Sequence, residues 1–163
     1  MALDIRTGQG FDIHRFADAP EEGRVLVLGG VTFPGERTLV GHSDADVIAH
    51  AAADALLGAA GMGDIGQHYP DTDPAWKGAD SLAILADVAS KLRAAGWRIG
   101  NIDCSVVCEA PRIAPHRAEM ADRLSASAGA PVTVKGRRAE GLGAIGRGEG
   151  IMCLASAIIS KES

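Results

Sequence analysis

Apolar side chains recur along this chain with two periods, and each period predicts a different element. Between Asn101 and Ala110 apolar residues occupy every second position, which is the alternation of a half-buried strand. Between Ser81 and Ala95 they recur every three or four positions, which predicts a helix that has Asp80 as its N-cap and ends before Gly96. The chain therefore combines strands and helices that each bury one face.

The remaining segments complete a mixed order of elements. Alternation and short apolar runs predict four further strands, over 5–13, 24–33, 132–135 and 151–159. Helical spacing predicts two further helices, from Ser43 or Asp44 to about Leu57 and from 115 to 126. The order β-β-α-α-β-α-β-β is typical of an α/β protein of the α+β type, with helices packed on one face of a mixed β-sheet. At 163 residues, the chain is predicted to form a single domain over 1–163.

Composition limits the kinds of binding partner and the cellular compartment that we expect for this chain. The chain carries 16 Lys and Arg against 21 Asp and Glu, for a formal net charge of −5, which disfavours nucleic acid as a partner. No stretch approaches the ~20 apolar residues that span a bilayer, and the first ten residues lack the layout of a secretion signal. We therefore expect a cytoplasmic protein without membrane association. Aromatic residues make up only 4%, so the core is expected to consist of small aliphatic side chains. A chain with such a core is expected to gain stability by association with further copies of itself.

The cysteines do not suggest a disulfide or a metal site. Cys104 and Cys108 lie in a predicted strand, where four residues span ~13 Å, too far to bridge or to share one ion. Together with Cys153 they are expected to be small buried hydrophobic residues in a reducing compartment.

Three other side chains offer the ligands of a catalytic zinc ion. Asp12 and His14 are two residues apart in a predicted strand, so both emerge on one face, ~6.6 Å apart at Cα. His50, in the predicted helix, is the third candidate. Three protein ligands with an open fourth position suit a catalytic zinc, whereas structural zinc sites are closed and rich in cysteine. For Asp12 and His14 alone, the alternative is a polar strand end in water.

The helix that carries His50 adds two carboxylates to the same face. Asp46, His50 and Asp54 follow at intervals of four residues, and a neighbouring aspartate is a candidate to accept the second ring N–H of His50. A solvated helix face would show the same spacing. The surrounding alanines favour a mostly buried helix, in which ionisable groups need partners.

Two glycine-rich segments are candidates for ligand contacts. Asp64 and Asp71 belong to the loop over 61–78, where they could accept hydrogen bonds from a hydroxyl-bearing substrate, although turn formation explains the composition equally well. Over 135–150, arginines stand beside flexible glycines, which suits either a phosphate receptor or a charged surface turn. The chain contains no P-loop, no dinucleotide fingerprint and no Ser-His-Asp elbow.

Taken together, these segments resemble the 2-C-methyl-D-erythritol 2,4-cyclodiphosphate synthase family of the non-mevalonate pathway of isoprenoid biosynthesis. The resemblance covers essentially the whole chain and is carried by GQGFDIHRF (8–16), LGGV (28–31), GHSDADVIAHAAADALLGAAGMGDIGQHYPDTDPAWKGADS (41–81), GNIDCSVVCEAPRIAPH (100–116) and GRGEG (146–150). It implies a lyase that cyclises 4-diphosphocytidyl-2-C-methyl-D-erythritol 2-phosphate and releases CMP. It also implies a homotrimer whose active sites are shared between neighbouring subunits.

The resemblance assigns roles to individual residues. It implies zinc at Asp12, His14 and His50, and a second divalent ion, Mg²⁺ or Mn²⁺, at Glu140. It implies that His42 and Ser43 lie near the terminal phosphate of the diphosphate, with His42 and Arg138 as the catalytic candidates. Besides Asp12, His14, His42 and Ser43, the substrate contacts it implies are a methylerythritol loop (Asp64, Ile65, Gly66, Tyr69, Pro70, Asp71, Thr72 and Asp73), a cytidine segment (Ala110, Pro111, Arg112 and Ile113) and a phosphate segment (Arg137, Arg138, Glu140, Ala144 and Arg147).

Residues 135–144 depart from the family's usual pattern. The family usually reads close to K-A-T-T-T-E-K-L-G-F, and this chain reads K-G-R-R-A-E-G-L-G-A. Arg138 replaces a threonine that helps to fix the phosphates, and Ala144 replaces an aromatic residue that packs on the substrate. Two other functions therefore stay open: a zinc-dependent phosphohydrolase that uses the same ligands to activate water, and a trimer that binds nucleotides or isoprenoid phosphates without turnover.

Overall fold

The computed structural model describes residues 2–162, and its centre is a four-stranded mixed sheet. The strands lie in the order β1-β6-β4-β5, formed by β1 (Leu3–Arg15), β6 (Gly150–Glu162), β4 (Arg98–Val107) and β5 (Val132–Arg137). β6 pairs antiparallel with both β1 and β4, whereas β4 and β5 pair in parallel. A separate hairpin consists of β2 (Leu26–Leu28) and β3 (Val31–Phe33). The prediction of a mixed α/β fold is confirmed.

Three helices of three to four turns pack on one face of this sheet. They are α1 (Val47–Ala60), α3 (Ser81–Ala94) and α4 (Arg117–Ala128), and two single-turn helices complete the set, α2 (Ile65–His68) and α5 (Gly143–Gly146). No helix within residues 2–162 is long and apolar enough to cross a membrane.

Helix α1 lies unusually close to the edge strand β1. A Cβ atom added to Gly8 would lie 2.0 Å from the carbonyl oxygen of Ala55, and one added to Gly10 would lie 1.9 Å from that of Ala51. Only glycine on the strand and alanine on the helix permit this approach. It brings the middle of α1 directly against the carboxyl-terminal half of β1, which carries the candidate metal ligands.

Two element boundaries differ from the sequence prediction. Helix α1 begins after Asp46, not at Ser43 or Asp44, because the Asp46 carboxylate accepts the N–H groups of Ile48 and Ala49. It also continues through Gly58 and ends at Gly61, whose φ of 69° closes the helix. The segment over 24–33 is not one strand, because a two-glycine turn with φ of 57° and 75° folds it into the β2–β3 hairpin.

The other predicted elements are confirmed, with shifted ends. Asp80 caps α3 as expected, and α4 begins two residues late because a short 3₁₀ turn, Ala114–His116, precedes it. The alternation in β4 buries Ile102, Cys104 and Val106, and Cys108, just after the end of the strand, is buried on the same face as predicted. All three cysteines are buried and free, as predicted.

The opposite face of the sheet keeps apolar side chains exposed. Because Gly8 and Gly10 face α1, the alternate residues of β1 point away from the helices. Phe11 is 50% exposed and Ile13 is 49% exposed, and Leu3 and Ile5 on the same strand are more exposed still. An apolar face of this kind on a folded chain is typical of a protein–protein interface.

Candidate metal centre and substrate cavities

Asp12, His14 and His50 converge at the contact between β1 and α1. Asp12 Oδ2 lies 3.1 Å from His14 Nε2 and 3.0 Å from His50 Nδ1. One ligand atom from each residue lies within 4.8 Å of the other two, and these three residues form the one such group of His, Cys, Asp or Glu found within residues 2–162. The structure therefore brings together the three residues that the sequence nominates.

The hydrogen bonds of the two imidazoles suit metal ligation. His14 Nδ1 lies 2.6 Å from the carbonyl oxygen of Val40, which can only accept, so Nδ1 carries the proton and Nε2 keeps a lone pair when the ring is neutral. His50 Nε2 lies 2.8 Å from the hydroxyl of Ser81. One carboxylate oxygen and two imidazole nitrogens match the ligand chemistry of zinc, and a three-residue set leaves a position open. The residues present fit such an ion.

Ser81 and Asp44 orient the His50 ring from its Nε2 side, away from Asp12. The buried Ser81 hydroxyl donates to Asp44 Oδ1, and Asp44 Oδ2 accepts the Ser81 backbone N–H at 3.1 Å. Because that hydroxyl donates its proton to Asp44, it accepts from His50 Nε2–H, and a neutral His50 ring then has its Nδ1 lone pair on the side of the metal site. Ser43 Oγ lies 3.1 Å from the same nitrogen.

The two aspartates predicted as partners of His50 have other roles. Asp46 caps α1 and also accepts the N–H groups of Gly29 and Gly30, each at 2.8 Å, so it ties the hairpin to the helix. Asp54 accepts the N–H of Ile65 at 3.2 Å and so holds α2. The prediction that a neighbouring aspartate accepts the second ring N–H of His50 is wrong, because Nε2 faces the Ser81 hydroxyl, which lies between the ring and Asp44.

The electrostatics of the cluster are dominated by the shared carboxylate. Burial raises the pKa of Asp12, but hydrogen bonds and charge from His14 and His50 outweigh burial and lower it to about 2. Burial lowers the pKa of His14, and its hydrogen bond to Asp12 more than compensates and raises it. The Asp12 carboxylate between the two imidazoles is therefore ionised, as a metal ligand has to be.

A cavity of about 260 Å³ opens beside the three ligands. Of the predicted substrate residues, it is lined by Asp12, His14, His42, Ser43, Ile65, Gly66, Tyr69 and Asp71. His42 Nε2 lies 3.0 Å from the carbonyl oxygen of Asp73, which fixes the ring against the loop. Asp64 and Asp73 instead cap short helical turns, and they, Pro70 and Thr72 do not line the cavity.

Sequence reasoning missed three further contributors to this cavity. Trp76 and Ile84 line it, although nothing in their spacing distinguishes them from core residues. Arg24 donates to the carbonyl oxygens of Leu39, Gly41 and Ser43 at 3.1–3.2 Å and so holds the segment that carries His42. The signal available in the sequence is weak, because Arg24 directly precedes an apolar run but follows two glutamates and a glycine.

A second cavity, of about 780 Å³, lies at the other edge of the sheet. Its cationic lining consists of Arg112, Arg117, Lys135, Arg137 and Arg138. Pro111 and Ile113 also line it, whereas Ala110, Glu140, Ala144 and Arg147 do not. Within one chain, therefore, the structure separates five of the residues predicted for the cytidine and phosphate segments from the metal cluster: Pro111, Arg112, Ile113, Arg137 and Arg138.

Arg138 is paired within this second cavity. Its guanidinium Nη2 lies 3.1 Å from Glu109 Oε2, and the other oxygen of that carboxylate accepts the N–H of Ala139 at 2.8 Å. Glu140, the predicted ligand of the second divalent ion, is exposed and has a φ of 54°. Arg147 is paired with Glu149 at 2.6 Å.

Comparison with known proteins gives consistent matches over the full length. The sequence model of the YgbB family matches residues 5–160. The 2-C-methyl-D-erythritol 2,4-cyclodiphosphate synthase of Bordetella petrii is 50% identical over 166 residues, covering 100% of both chains. The protein of the same name from Gemmatimonas aurantiaca is 52% identical over 98% of this chain and 95% of its own length.

Solved structures agree with the sequence matches. The bifunctional IspDF of Campylobacter jejuni aligns with a TM-score of 0.91 and 38% identity, over 99% of this chain and 44% of that one. The CDP complex of Plasmodium falciparum IspF aligns with a TM-score of 0.82 and 32% identity, over 98% of this chain and 97% of that one.

Proposed function

This chain belongs to the YgbB family, and we propose that it is a 2-C-methyl-D-erythritol 2,4-cyclodiphosphate synthase, a phosphorus–oxygen lyase of isoprenoid biosynthesis. The reaction is the metal-dependent cyclisation of 4-diphosphocytidyl-2-C-methyl-D-erythritol 2-phosphate, with release of CMP. The observation that carries the proposal is the Asp12–His14–His50 cluster beside a cavity. The CDP complex of the Plasmodium falciparum relative supports a substrate that contains cytidine diphosphate.

The reaction makes and breaks one bond each at the same phosphorus. An oxygen of the 2-phosphate attacks the β-phosphorus, and the bond from that phosphorus to the oxygen of CMP breaks, so CMP leaves with the electron pair. Both reacting groups are anionic, so the protein has to neutralise charge and align them. No protein nucleophile is required.

Asp12, His14 and His50 would hold zinc, which supplies a Lewis acid for the β-phosphate. His42 and Ser43 line the same cavity, and we propose that they contact the terminal phosphate. The bond between His42 and the Asp73 carbonyl keeps the ring in place before substrate binds. Glu140 would hold a second divalent ion, Mg²⁺ or Mn²⁺, on the diphosphate.

Arg112, Arg137 and Arg138 form the proposed receptor for the cytidine nucleotide. Their cavity is large enough for a nucleotide and carries a cationic lining, which suits a phosphate group. Glu109 offsets part of the charge that Arg138 adds, so the arginine fits where the family usually has a threonine.

The active form is proposed to be a homotrimer. The metal cluster lies on β1 and the cationic cavity on β5, which are opposite edges of the sheet, about 14 Å apart at ~4.8 Å per strand. Head-to-tail contacts that close a ring would bring the β1 edge of one copy to the β5 edge of the next. The exposed apolar residues of β1, such as Phe11 and Ile13, provide an interface for such a ring. The cytoplasm is the proposed compartment, since the three cysteines are free.

Product analysis tests the proposal directly. The purified protein is incubated with authentic substrate, Zn²⁺ and Mg²⁺, and the products are identified by ³¹P NMR and mass spectrometry. We expect the cyclic diphosphate and CMP. Linear phosphates alone would instead identify a phosphohydrolase, and binding without turnover would identify a binding protein.

A histidine pair provides the matched variants. His50→Ala should lose bound zinc and cyclase activity together. His116→Ala removes a histidine whose ring packs on Phe33 at 4.7 Å, and it should keep its zinc. Full cyclase activity in a zinc-free His50→Ala protein would contradict the proposed role of the metal.

A further inference from the structure

The segment between α1 and α3 forms one wall of the metal cavity and has little regular structure of its own. Over 61–80 it contains only the single turn α2 and a 3₁₀ turn, Pro74–Trp76. It contributes Ile65, Gly66, Tyr69, Asp71 and Trp76 to the lining, and of these only Tyr69 is buried, at 8% exposure. Tyr69 therefore anchors this wall to the body of the protein, alongside the hydrogen bonds from Ile65 to Asp54 and from His42 to Asp73.

The tyrosine ring and its hydroxyl have separate contacts. The ring meets Trp76 edge to face, with 4.9 Å between ring centroids, so its apolar part belongs to the wall. The hydroxyl donates to Asp87 Oδ2 and accepts from Lys91 Nζ at 3.0 Å. Lys91 Nζ also lies 2.8 Å from Asp87 and 4.6 Å from the centre of the tyrosine ring.

Asp87 and Lys91 stand one turn apart on α3, a helix that the core holds firmly. The side chains of Ile84, Leu85, Val88 and Leu92 on the same helix are buried. Neither Asp87 nor Lys91 lines the metal cavity. Their contact with the lining of that cavity is through the Tyr69 hydroxyl.

We propose that Asp87 and Lys91 are positioning residues that hold the Tyr69 hydroxyl and thereby fix the wall over 61–80 against which the substrate lies. The proposal rests on the proposed function for its substrate, but the anchor itself does not. The side chains of Asp87 and Lys91 are 48% and 40% exposed, so as an ion pair they add little to global stability. Their effect is expected in the order of the wall and in substrate binding.

Trp76 reports on the wall without any turnover. The chain has two tryptophans, so a Trp97→Phe background leaves Trp76 as the sole emitter. In that background, Asp87→Ala and Lys91→Ala should each increase acrylamide quenching of Trp76 about two-fold. The matched control is Glu119→Ala, which breaks the exposed Glu119–Arg123 pair on α4 and should leave quenching unchanged.

A double-mutant cycle shows whether the effect passes through the hydroxyl. If it does, Asp87→Ala should have no further effect on quenching in a Tyr69→Phe background, because the group it holds is already gone. An equal effect of Asp87→Ala with and without the hydroxyl would overturn the proposal. So would unchanged quenching in both single variants.

Kinetics test the consequence for the substrate. With the otherwise unmodified enzyme, Asp87→Ala and Lys91→Ala should raise KM about three- to ten-fold and change kcat less than two-fold. The reason is that the lost contacts stabilise the bound substrate and its transition state equally, so their loss weakens binding without raising the barrier of the chemical step. A loss confined to kcat would overturn the positioning role. If the wild-type protein shows no cyclisation at all, the proposed function fails, whereas the Trp76 measurements still decide whether the anchor exists.

Discussion

Replacing Gly10 by alanine tests the link between backbone packing and the metal centre. The added Cβ would lie 1.9 Å from the carbonyl oxygen of Ala51 and 2.7 Å from the nitrogen of Ala55. Both obstacles are backbone atoms of α1, so no side chain can rotate away. Strand and helix must separate by about 1 Å, and overpacking of this kind costs about 1–3 kcal/mol.

The same displacement should disrupt the metal ligands. Asp12 is on β1 and His50 is on α1, and the two touch at 3.0 Å across the interface that Gly10→Ala opens. Ligand distances tolerate only about 0.2 Å of error, so a separation of about 1 Å removes one of the three ligands. We expect zinc affinity to fall more than about 100-fold, beyond the effect of losing a hydrogen bond to a ligand.

Gly58→Ala is the matched control on the same helix. The nearest atom to its added Cβ is Gln9 O at 3.7 Å, an ordinary contact. This substitution should stabilise the protein by about 0.5–1 kcal/mol and leave zinc affinity unchanged, because alanine favours a helix interior over glycine. Urea denaturation and competitive zinc titration measure the two quantities. A Gly10→Ala protein with wild-type stability and affinity would refute the reasoning.

Three further outcomes follow from the site geometry. Ser81→Ala removes the nearer of the two hydroxyls beside His50 Nε2, together with its link to Asp44, and should weaken zinc binding about 10- to 100-fold. Ser81→Thr keeps the hydroxyl and should retain most of the affinity. Arg138→Ala should weaken CDP binding several-fold at low salt and flatten its salt dependence, as titration at two ionic strengths would reveal. In metal-free protein the pKa of Asp12 is lowered from 3.8 to about 2, so the ionised carboxylate contributes about 2 kcal/mol to the free energy of unfolding. This contribution is present above pH 3.8 and is lost as the pH falls towards 2. In urea titrations Asp12→Asn should lose this pH dependence of stability.

The metal cluster could be predicted because part of it is local. Asp12 and His14 are two residues apart on one strand, so their convergence needs nothing but strand geometry. The approach of His50 depends instead on Gly8 and Gly10, whose lack of a side chain lets α1 rest on β1. These two glycines therefore determine the contact between helix and strand, but the sequence alone does not distinguish them from glycines of a motif or a turn.

The orientation of His50 could not be predicted, because it depends on a contact between segments far apart in sequence. Ser81 follows the cap of α3, which local spacing does identify, but only the packing of α3 against α1 turns its hydroxyl towards the imidazole. The role of Asp46 was predicted wrongly because its spacing of four residues from His50 suggests a shared helix face. In the structure its carboxylate instead caps the N-terminus of that helix.

The two cavities lie at opposite edges of the sheet because of the strand order, which the periodicity of the sequence does not reveal. β1 and β6 are the first and last strands in the chain and pair with each other, which leaves β1 at one edge and β5 at the other. His14 and Arg137 consequently belong to different cavities of one chain. In the proposed ring, a ligand that needs both a metal ion and a nucleotide pocket would use the β1 edge of one copy and the β5 edge of the next. Mixing His50→Ala chains with Arg138→Ala chains should form some composite sites with neither substitution, and activity above that of either parent would follow.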